Sequence, residues 1–249
     1  MSEPAAPLPE WEQVLSAASR LQRLLPDAVR VGDTASAVHA GHRFSRDADR
    51  VLPDLRARFD AVLAELEAVA GWKTARVQRP VQILGRLDGI ETGVRQLIRT
   101  APLETEQIEL KGTRLTVPTP AEMLRIKAVL VLKRNATRDY LDVAALADRL
   151  GDDGAAQALR PFDALYPQDS GESPLQQLHV QLAAPLPYDL EATDLTEYQH
   201  LVARWRDWNA VHAACARLAV VVFDRLCAPP DGPTPAPRPT GRPPRGPSP

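Results

Sequence analysis

Apolar residues in the first part of the chain follow helical spacing, then strand spacing, then helical spacing again. They recur every three or four positions over residues 10–25, which predicts a helix that Pro26 ends. Residues 29–31 read valine, arginine, valine, which is typical of a short strand, and Gly32 follows as a tight turn. Helical spacing returns over residues 34–40. The order strand, turn, helix is therefore the first unit that the pattern predicts.

The sequence pattern predicts mostly strands in the middle of the chain and helices toward its end. A strand over residues 45–52 and a helix over residues 54–70 come first. Strand-like segments follow over residues 72–78, 81–87, 93–99, 106–110 and 113–117. Thr119, Pro120 and Glu122 then form a helix-capping signature. From there on, helices are predicted over residues 120–134, 137–150, 153–160, 172–182 and 194–226.

These elements predict an α+β protein in two halves. A mixed sheet with flanking helices is expected in residues 1–118, and an all-helical half in residues 119–227. Ten of the 24 prolines lie after residue 228, in a segment with almost no apolar residues to bury. Residues 228–249 are therefore predicted to form a disordered tail.

Composition narrows the class of protein. The chain has 249 residues, a formal net charge of −2 and 44% hydrophobic residues, which is typical of a globular protein. Cys215 and Cys227 are its only cysteines and lack zinc-site spacing, so neither a disulfide scaffold nor a zinc module is expected. No apolar run approaches the ~20 residues of a membrane helix, and the N-terminus lacks signal-peptide features. We therefore expect a cytoplasmic protein with no membrane partner.

Asp47 and Asp49 are the first candidates for chemistry. Side chains alternate along a strand, so two carboxylates two positions apart project from the same face. Adjacent carboxylates repel each other unless a cation lies between them, and hard oxygen ligands suit Mg²⁺ or Mn²⁺. The same Asp-x-Asp pattern is also common in exposed loops. The turn at Gly32 and the helix that begins at Thr34 favour the metal site, because a nearby helix N-terminus suits a metal-bound triphosphate.

Two motifs carry a family resemblance. Residues 31–51 read VGDTASAVHAGHRFSRDADRV, which resembles the first two motifs of the DNA polymerase β-type nucleotidyltransferase superfamily, in particular its AbiEii/AbiGii and MenT-like toxin branch. The matching positions are Gly32, Thr34, Ala35, Gly41, His42, Arg43, Ser45, Asp47 and Asp49. A later motif of this branch is a lysine, then an arginine, then an Arg-Asp pair. It is matched in order by Lys127, Arg134, Arg138 and Asp139.

The resemblance implies a metal-dependent nucleotidyltransferase. Members of this branch are type IV-like toxins of toxin–antitoxin or phage-defence systems that transfer NMP from an NTP substrate to the tRNA 3′ end or another hydroxyl acceptor. The implied partners are therefore NTP, tRNA or other RNA, and a cognate antitoxin. The implied metal ligands are Asp47 and Asp49, which are catalytic together with Lys127 and Asp139. The implied nucleotide-binding residues are Gly32, Asp33, Thr34, Ser45, Lys127, Arg134 and Arg138.

Lys127 has two interpretations from the residues alone. It lies in an otherwise apolar run of a predicted helix, so its charge needs a partner. It either binds nucleotide phosphate or pairs with Asp139 or Asp142 to hold two helices together. The two interpretations are compatible.

Some positions depart from the family pattern. Asp33 stands where glycine or serine is usual, and it is expected to repel a triphosphate by about 1 kcal/mol or more unless it turns outward or joins the metal site. Arg50 replaces an apolar residue. Gln96 stands where a third carboxylate is expected, with Glu91 as a nearby substitute. These departures keep a second hypothesis open, a catalytically decayed relative that binds nucleotide, RNA or an antitoxin without turnover.

The charges are unevenly distributed along the chain. Residues 72–138 contain 13 basic and six acidic side chains, so this segment is expected to face nucleotide or RNA backbone. His39 and His42 have the spacing of a His-x-x-His metal pair, but no third ligand is evident in the sequence, so capping or surface roles are expected. Trp205 and Trp208 are expected to anchor the core from one long helix.

Overall fold

The computed structural model describes residues 10–43, 49–110, 113–198 and 200–227. Over these residues a mixed β-sheet with packed helices precedes a C-terminal half made of helices, so the predicted α+β fold class is confirmed. The predicted tail lies outside the described residues. The domain limits drawn at residues 118 and 227 stay predictions.

The first half contains the predicted order of elements. Its helices are α1 (Glu10–Leu24), α2 (Asp33–Ala40) and α3 (Phe59–Glu67), and its strands are β1 (Val29–Arg30), β2 (Arg50–Leu52), β3 (Trp72–Gln78), β4 (Gln82–Leu87), β5 (Ile90–Gln96), β6 (Thr105–Leu110) and β7 (Thr113–Pro118). Helix α3 begins later than predicted because residues 53–58 form turns. Strand β5 begins three residues before its predicted start.

The second half contains α4 (Pro120–Arg134), α5 (Thr137–Leu159), α6 (Phe162–Leu165), α7 (Pro174–Ala183) and α8 (Trp208–Val222). The capping signature is realised at α4, where the side chain of Thr119 accepts a hydrogen bond from the Glu122 backbone N–H at 3.2 Å. Element α5 contains two helical segments that meet at Gly151, whose φ of 71° and ψ of 170° are not helical, so the break predicted between the helices at 137–150 and 153–160 is confirmed.

The prediction of one helix over residues 194–226 is wrong. A 3₁₀ turn at Leu195–Glu197 and another at Ala203–Arg206 precede α8, and residues 223–227 continue it as a π-helix. Asp207 explains the late start, because its side chain accepts a hydrogen bond from the Asn209 backbone N–H and begins a new helix there. Trp205 and Trp208 are therefore on different elements. Trp205 is buried, whereas Trp208 is partly buried with its ring edge against Tyr140.

The main sheet has the strand order β1-β2-β5-β4-β3 over the described residues. Strand β2 runs parallel to β5, and the other neighbours are antiparallel. Strands β6 and β7 form a separate antiparallel pair. Because β2 and β5 are parallel neighbours, residues at the start of β2 lie beside the second half of β5.

One face of the main sheet is packed and the other is open. Ile83, Leu87 and Val94 are buried and form a core with α1 and α3. Burial of such a side chain contributes about 1.5–3 kcal/mol to folding. The cross-strand pair Gln82 and Arg95 lies on the opposite face, where both side chains are partly exposed. The open face is therefore available for a polar site.

A buried ion cluster around Glu122 joins the two halves. Arg99, in the segment after β5, donates to Glu122 Oε2 at 2.8 Å. Arg125, one turn along α4, donates to the same oxygen at 2.9 Å. Glu122 is fully buried and is the carboxylate that the two arginines share. Among the described residues, no helix is long and apolar enough to cross a membrane.

The Glu122 cluster predicts a large and local loss of stability. Glu122→Ala leaves two buried guanidinium groups without their shared carboxylate and is expected to lower the free energy of unfolding by about 3–5 kcal/mol. Glu104→Ala is the matched control, because Glu104 also binds Arg125, at 3.0 Å, but is 58% exposed. The control is expected to lose less than about 1 kcal/mol. Urea unfolding followed by circular dichroism measures both, and equal losses would contradict the prediction.

Candidate functional site

The Gly32 turn brings the N-terminus of α2 beside Asp49. Gly32 has φ of 82°, a conformation that favours glycine. A Cβ atom built on it would lie 3.6 Å from the Cβ of Asp49. Gly32 is the N-cap of α2, and no side chain caps the helix among the described residues. The backbone N–H groups of the first turn and the positive end of the helix dipole therefore lie next to this carboxylate.

Asp142 on α5 is the centre of a buried ion network. Its carboxylate is fully buried and lies 2.6 Å from Lys127 Nζ and 2.7 Å from His42 Nε2. Arg43 adds two hydrogen bonds, from Nε at 3.0 Å and Nη2 at 3.1 Å. Burial alone would raise the pKa of Asp142, but Arg43, Lys127 and His42 hold it well below its usual value. One carboxylate thus ties the segment after α2 to both α4 and α5.

Asp33, the first residue of α2, binds two of the same cations. Lys127 Nζ donates to Asp33 Oδ1 at 2.6 Å, and Arg43 Nη2 lies 2.9 Å from Asp33 Oδ2. Burial favours the neutral acid, but Lys127 and Arg43 outweigh it and lower the pKa of Asp33 to about 2. Asp33 is therefore ionised and faces inward. The outward orientation, one of the two routes by which it was expected to avoid repelling a triphosphate, is absent.

Lys127 is fully buried among three carboxylates. Besides its contacts with Asp33 and Asp142, its Nζ lies 3.9 Å from Asp139 Oδ1. Burial by itself lowers the pKa of Lys127, but Asp142, Asp33 and Asp139 together raise it. The helix-pairing interpretation is thus realised with both aspartates of α5. Asp33 is an additional partner that the sequence did not indicate.

Asp49 precedes β2 and lies on the open face of the sheet. Its side chain is 26% exposed, and Arg95 Nη2 lies 3.6 Å from its Oδ2. Burial raises the pKa of Asp49, and the opposing attraction of Arg95 only partly compensates. Gly93 lies beneath it on β5, where a Cβ atom would be 3.3 Å from Asp49 Oδ1. The carboxylate therefore has a glycine on each of two sides and a cation on another.

The positions considered for a third carboxylate do not supply one. Gln96 donates from Nε2 to the Pro53 carbonyl at 2.6 Å, so its amide is bound to the turn after β2. Glu91 pairs with Arg86 at 2.7 Å on the exposed surface, which makes the expectation of a substitute there wrong. The side chain on β5 that faces Asp49 is Arg95, because side chains alternate along the strand.

Arg50 is buried on the packed side of the sheet. It donates to the carbonyls of Ala18 at 2.5 Å and Ala28 at 3.1 Å, and to Gln22 Oε1 at 2.8 Å. Burial, together with the neighbouring Arg30, lowers its pKa to about 9. Arg50 therefore replaces an apolar residue without entering the site, because two backbone carbonyls and the Gln22 side chain bind its Nη groups.

The second motif supplies cations from α4 and α5. Arg134 donates to both carboxylate oxygens of Asp139, at 3.0 and 2.6 Å, so this buried acid holds Arg134 in place. Arg138 is partly buried. Burial by itself lowers the pKa of Arg138, but the negative charges of Asp33 and Asp139 and the neighbouring Tyr198 outweigh burial, so the pKa is raised. The two arginines thus present positive charge from the helical half.

These groups surround a cavity of about 390 Å³. Its wall contains a glycine and charged side chains as well as apolar and aromatic ones. The first group is Gly32, Asp33, Asp49, Arg95, Lys127, Arg134 and Arg138, and the second includes Leu97, Ile98, Leu103, Ile126, Val129, Leu130 and Tyr166. The cavity suits a ligand with an anionic part and a flat or apolar part.

Six predicted site residues share this cavity, namely Gly32, Asp33, Asp49, Lys127, Arg134 and Arg138. Thr34 and Asp139 are buried behind it and do not line it. Asp47 and Ser45 lie outside the described residues. The functional roles assigned to all of these residues stay predictions.

Sequence reasoning missed part of the network. The surface or capping role expected for His42 is wrong, since His42 is buried against Asp142, whereas His39 binds the Pro118 carbonyl at 2.6 Å. His42 and Arg43 belong to the Gly-His-Arg part of the first motif, and that is the signal that could have identified them. No sequence signal marked Arg95 as the neighbour of Asp49.

The donor set fits a divalent cation at Asp49. A carboxylate is a hard oxygen ligand, it lines the cavity here, and a bound cation would favour the ionised form that burial disfavours. Within the part of the chain that the structure describes, no group of three or more His, Cys, Asp or Glu side chains is arranged to hold a metal. Asp33 lines the same cavity and its charge acts on Asp49, whereas Asp47, the second ligand predicted from the sequence, lies outside that part.

Comparisons with known proteins give partial similarities. No family model matches the chain. The heme uptake protein MmpL11 of Mycobacterium tuberculosis is 30% identical over 243 residues, which cover 88% of this chain but 23% of that protein. The chain thus spans about a quarter of the length of this relative. Function has to be argued from the site's own residues.

Two solved structures have a similar arrangement of elements. JHP933 from Helicobacter pylori has a TM-score of 0.48 and 15% identity, over 86% of this chain and 91% of that one. An antigenic nucleotidyltransferase-like protein from Paracoccidioides brasiliensis has a TM-score of 0.44 and 16% identity, over 61% of this chain and 88% of that one.

The buried contacts of Asp142 with several cations predict that its removal lowers the free energy of unfolding far more than removal of a surface acid. Asp142→Ala leaves Lys127 and Arg43 buried with one carboxylate fewer, and it is expected to cost about 3–5 kcal/mol of unfolding free energy. Asp148→Ala on the same helix is the control. Asp148 pairs with Arg204 and Arg217 at the surface and is expected to contribute less than about 1 kcal/mol. A similar midpoint of urea unfolding for both variants would contradict this stabilising role of Asp142.

The lowered pKa of Asp33 predicts a pH dependence of stability. Its pKa is about 2 in the folded chain against the ordinary 3.8, so its contribution is complete above about pH 5 and is lost as the pH falls toward 2. The full contribution is about 2 kcal/mol. Wild type and Asp33→Asn are expected to differ by that amount at pH 6, and by roughly 1 kcal/mol less at pH 3. A difference independent of pH in urea unfolding would refute the assignment.

Proposed function

We propose that the chain is a metal-dependent nucleotidyltransferase that transfers NMP from an NTP to a hydroxyl acceptor. The observation that carries the proposal is the mixed lining of the cavity. It combines a glycine turn, a helix N-terminus and arginines, which are the groups that bind phosphates. Its apolar and aromatic residues supply the kind of surface that a nucleobase requires.

The proposed roles follow from where each side chain lies. Arg138 and the first turn of α2 bind the triphosphate, and Asp139 positions Arg134 through two hydrogen bonds. Asp49, together with Asp47, would hold Mg²⁺ or Mn²⁺. When bound, such a cation neutralises charge on the phosphates and favours attack by the acceptor hydroxyl. The remaining contribution of the protein is positioning and electrostatic stabilisation.

The acceptor that we propose is RNA, with the tRNA 3′ end as the first candidate. The open sheet face beside Asp49 carries Arg95, and further along it carries Lys73 and Arg86, which are cross-strand neighbours. Lys73 and Arg86 are exposed, Arg86 pairs with Glu91 at 2.7 Å, and the exposed cations of this face suit a phosphate backbone. We further propose a toxin role with a cognate antitoxin, on the strength of the two sequence motifs. The transport role in the name of MmpL11 belongs to a protein of which this chain matches about a quarter, and the proposal does not extend to it.

A second candidate function is binding without turnover. Two observations favour it. Asp33 neutralises Lys127 at the phosphate turn, and Arg95 lies where a further acidic ligand would face Asp49. A catalytically decayed relative would retain the cavity and bind nucleotide, RNA or an antitoxin while lacking transfer activity.

Label transfer tests the proposal. Purified chain is incubated with each α-³²P-labelled NTP, total tRNA, and Mg²⁺ or Mn²⁺, and label in RNA is measured. Wild type is expected to transfer label from at least one NTP, and Asp49→Asn to lose roughly 100-fold or more, because a metal ligand matters at least as much as the groups that orient one. Asp60→Asn, on the exposed surface of α3, is the control with the same chemical change and is expected to retain activity.

The outcomes separate the two candidates. Absence of transfer with all four nucleotides and both metals would refute the enzyme. If NTP binding persisted under those conditions, the result would support the decayed relative.

A further inference from the structure

Asp33 occupies a position in this fold that stabilises an anion. It is the first residue of α2 and follows a glycine N-cap, so its carboxylate lies at the positive end of the helix dipole. Lys127 and Arg43 contact its two oxygens, at 2.6 and 2.9 Å. A helix N-terminus with a lysine and an arginine is the arrangement that binds phosphate in proteins. In this protein the carboxylate of Asp33 takes the contacts that a bound phosphate would make.

The carboxylates of Asp33 and Asp142 differ in how accessible they are from the cavity. Both contact Lys127 and Arg43, which gives a closed ring of two cations and two anions. Asp142 is fully buried on α5, whereas Asp33 is 14% exposed and lines the cavity. Asp33 is therefore the carboxylate of the ring that an anion entering from the cavity meets.

We propose that Asp33 is an internal competitor for phosphate, whose carboxylate occupies the anion position at the start of α2 and weakens polyphosphate binding there. The inference rests on the proposed function, because it concerns the same cavity. It makes Asp33 the residue that sets the polyphosphate affinity of the site. A polyphosphate that enters must take over contacts with Lys127 and Arg43 that Asp33 already satisfies.

The charges around the cavity show what removal of Asp33 would do. With Asp33 present, Lys127 and Arg43 are balanced by two carboxylates. Without it, Asp142 is the carboxylate that contacts both cations, Asp139 lies 3.9 Å from Lys127 Nζ, and the network has one negative charge fewer at the cavity wall. Arg138 also lines the cavity and has no ion pair within 4 Å among the described residues. The emptied position would therefore attract a polyanion more strongly.

Calorimetric titration with inorganic tripolyphosphate, without metal or acceptor, tests the inference. Asp33→Ser restores the small side chain usual at this turn in the family that the sequence resembles, and it is expected to bind tripolyphosphate at least roughly tenfold more tightly than wild type. Asp33→Asn keeps an oxygen for Lys127 but loses the charge, so an intermediate gain is expected. Asp60→Ser removes one exposed negative charge far from the cavity, and its affinity is expected to match that of wild type.

Each outcome bears on the inference. Unchanged affinity in both Asp33 variants would show that Asp33 only holds the helices together, and weaker binding would show that it contributes to ligand binding itself; either result overturns the proposal. If Asp33→Ser does not fold, Asp33→Asn carries the same test. The titration involves no turnover, so it succeeds or fails independently of label transfer.

Discussion

The buried carboxylate of Asp142 is the constraint on which the site depends. Lys127, His42 and Arg43 come from two other parts of the chain, and all three contact Asp142 inside the protein. Removing such charges from water costs several kcal/mol each, and only multiple close contacts offset that cost. The position of α2 relative to α4 and α5 is therefore coupled to this carboxylate, and so is the position of the Gly32 turn that α2 carries.

This coupling makes structure and candidate chemistry inseparable at Lys127. The same amine holds three elements together and forms part of the cavity wall. Its pairing with carboxylates is a property of the fold. Contact with a nucleotide phosphate would require Asp33 to give up its contact with Lys127. An acid at the phosphate turn is thus compatible with stability, because it completes a neutral ring, and costly for ligand binding for the same reason.

Local patterns were sufficient for most elements of the fold. The apolar spacing of α1 and the cap at Thr119 depend on near neighbours, and α1, α4, β3 and β4 form close to where the sequence predicts them. The prediction failed over residues 194–226, because Asp207 and its neighbours bind their own backbone and interrupt helical spacing. The shift of β5 has a different origin, since its ends depend on pairing with β2 and β4.

The candidate site divides in the same way. Short-range motifs identified Gly32, Asp49, Lys127 and Arg138 as candidates, and the fold brings these four to one cavity. The partners of those residues could not be read from the sequence. Arg43 and Asp142 are 99 positions apart, and the neighbour of Asp49 on β5 is Arg95 rather than a carboxylate. Ion pairs of this kind depend on distances of about 3 Å between side chains of packed elements. Spacing along one helix or strand does not contain such distances, so only tertiary packing decides them.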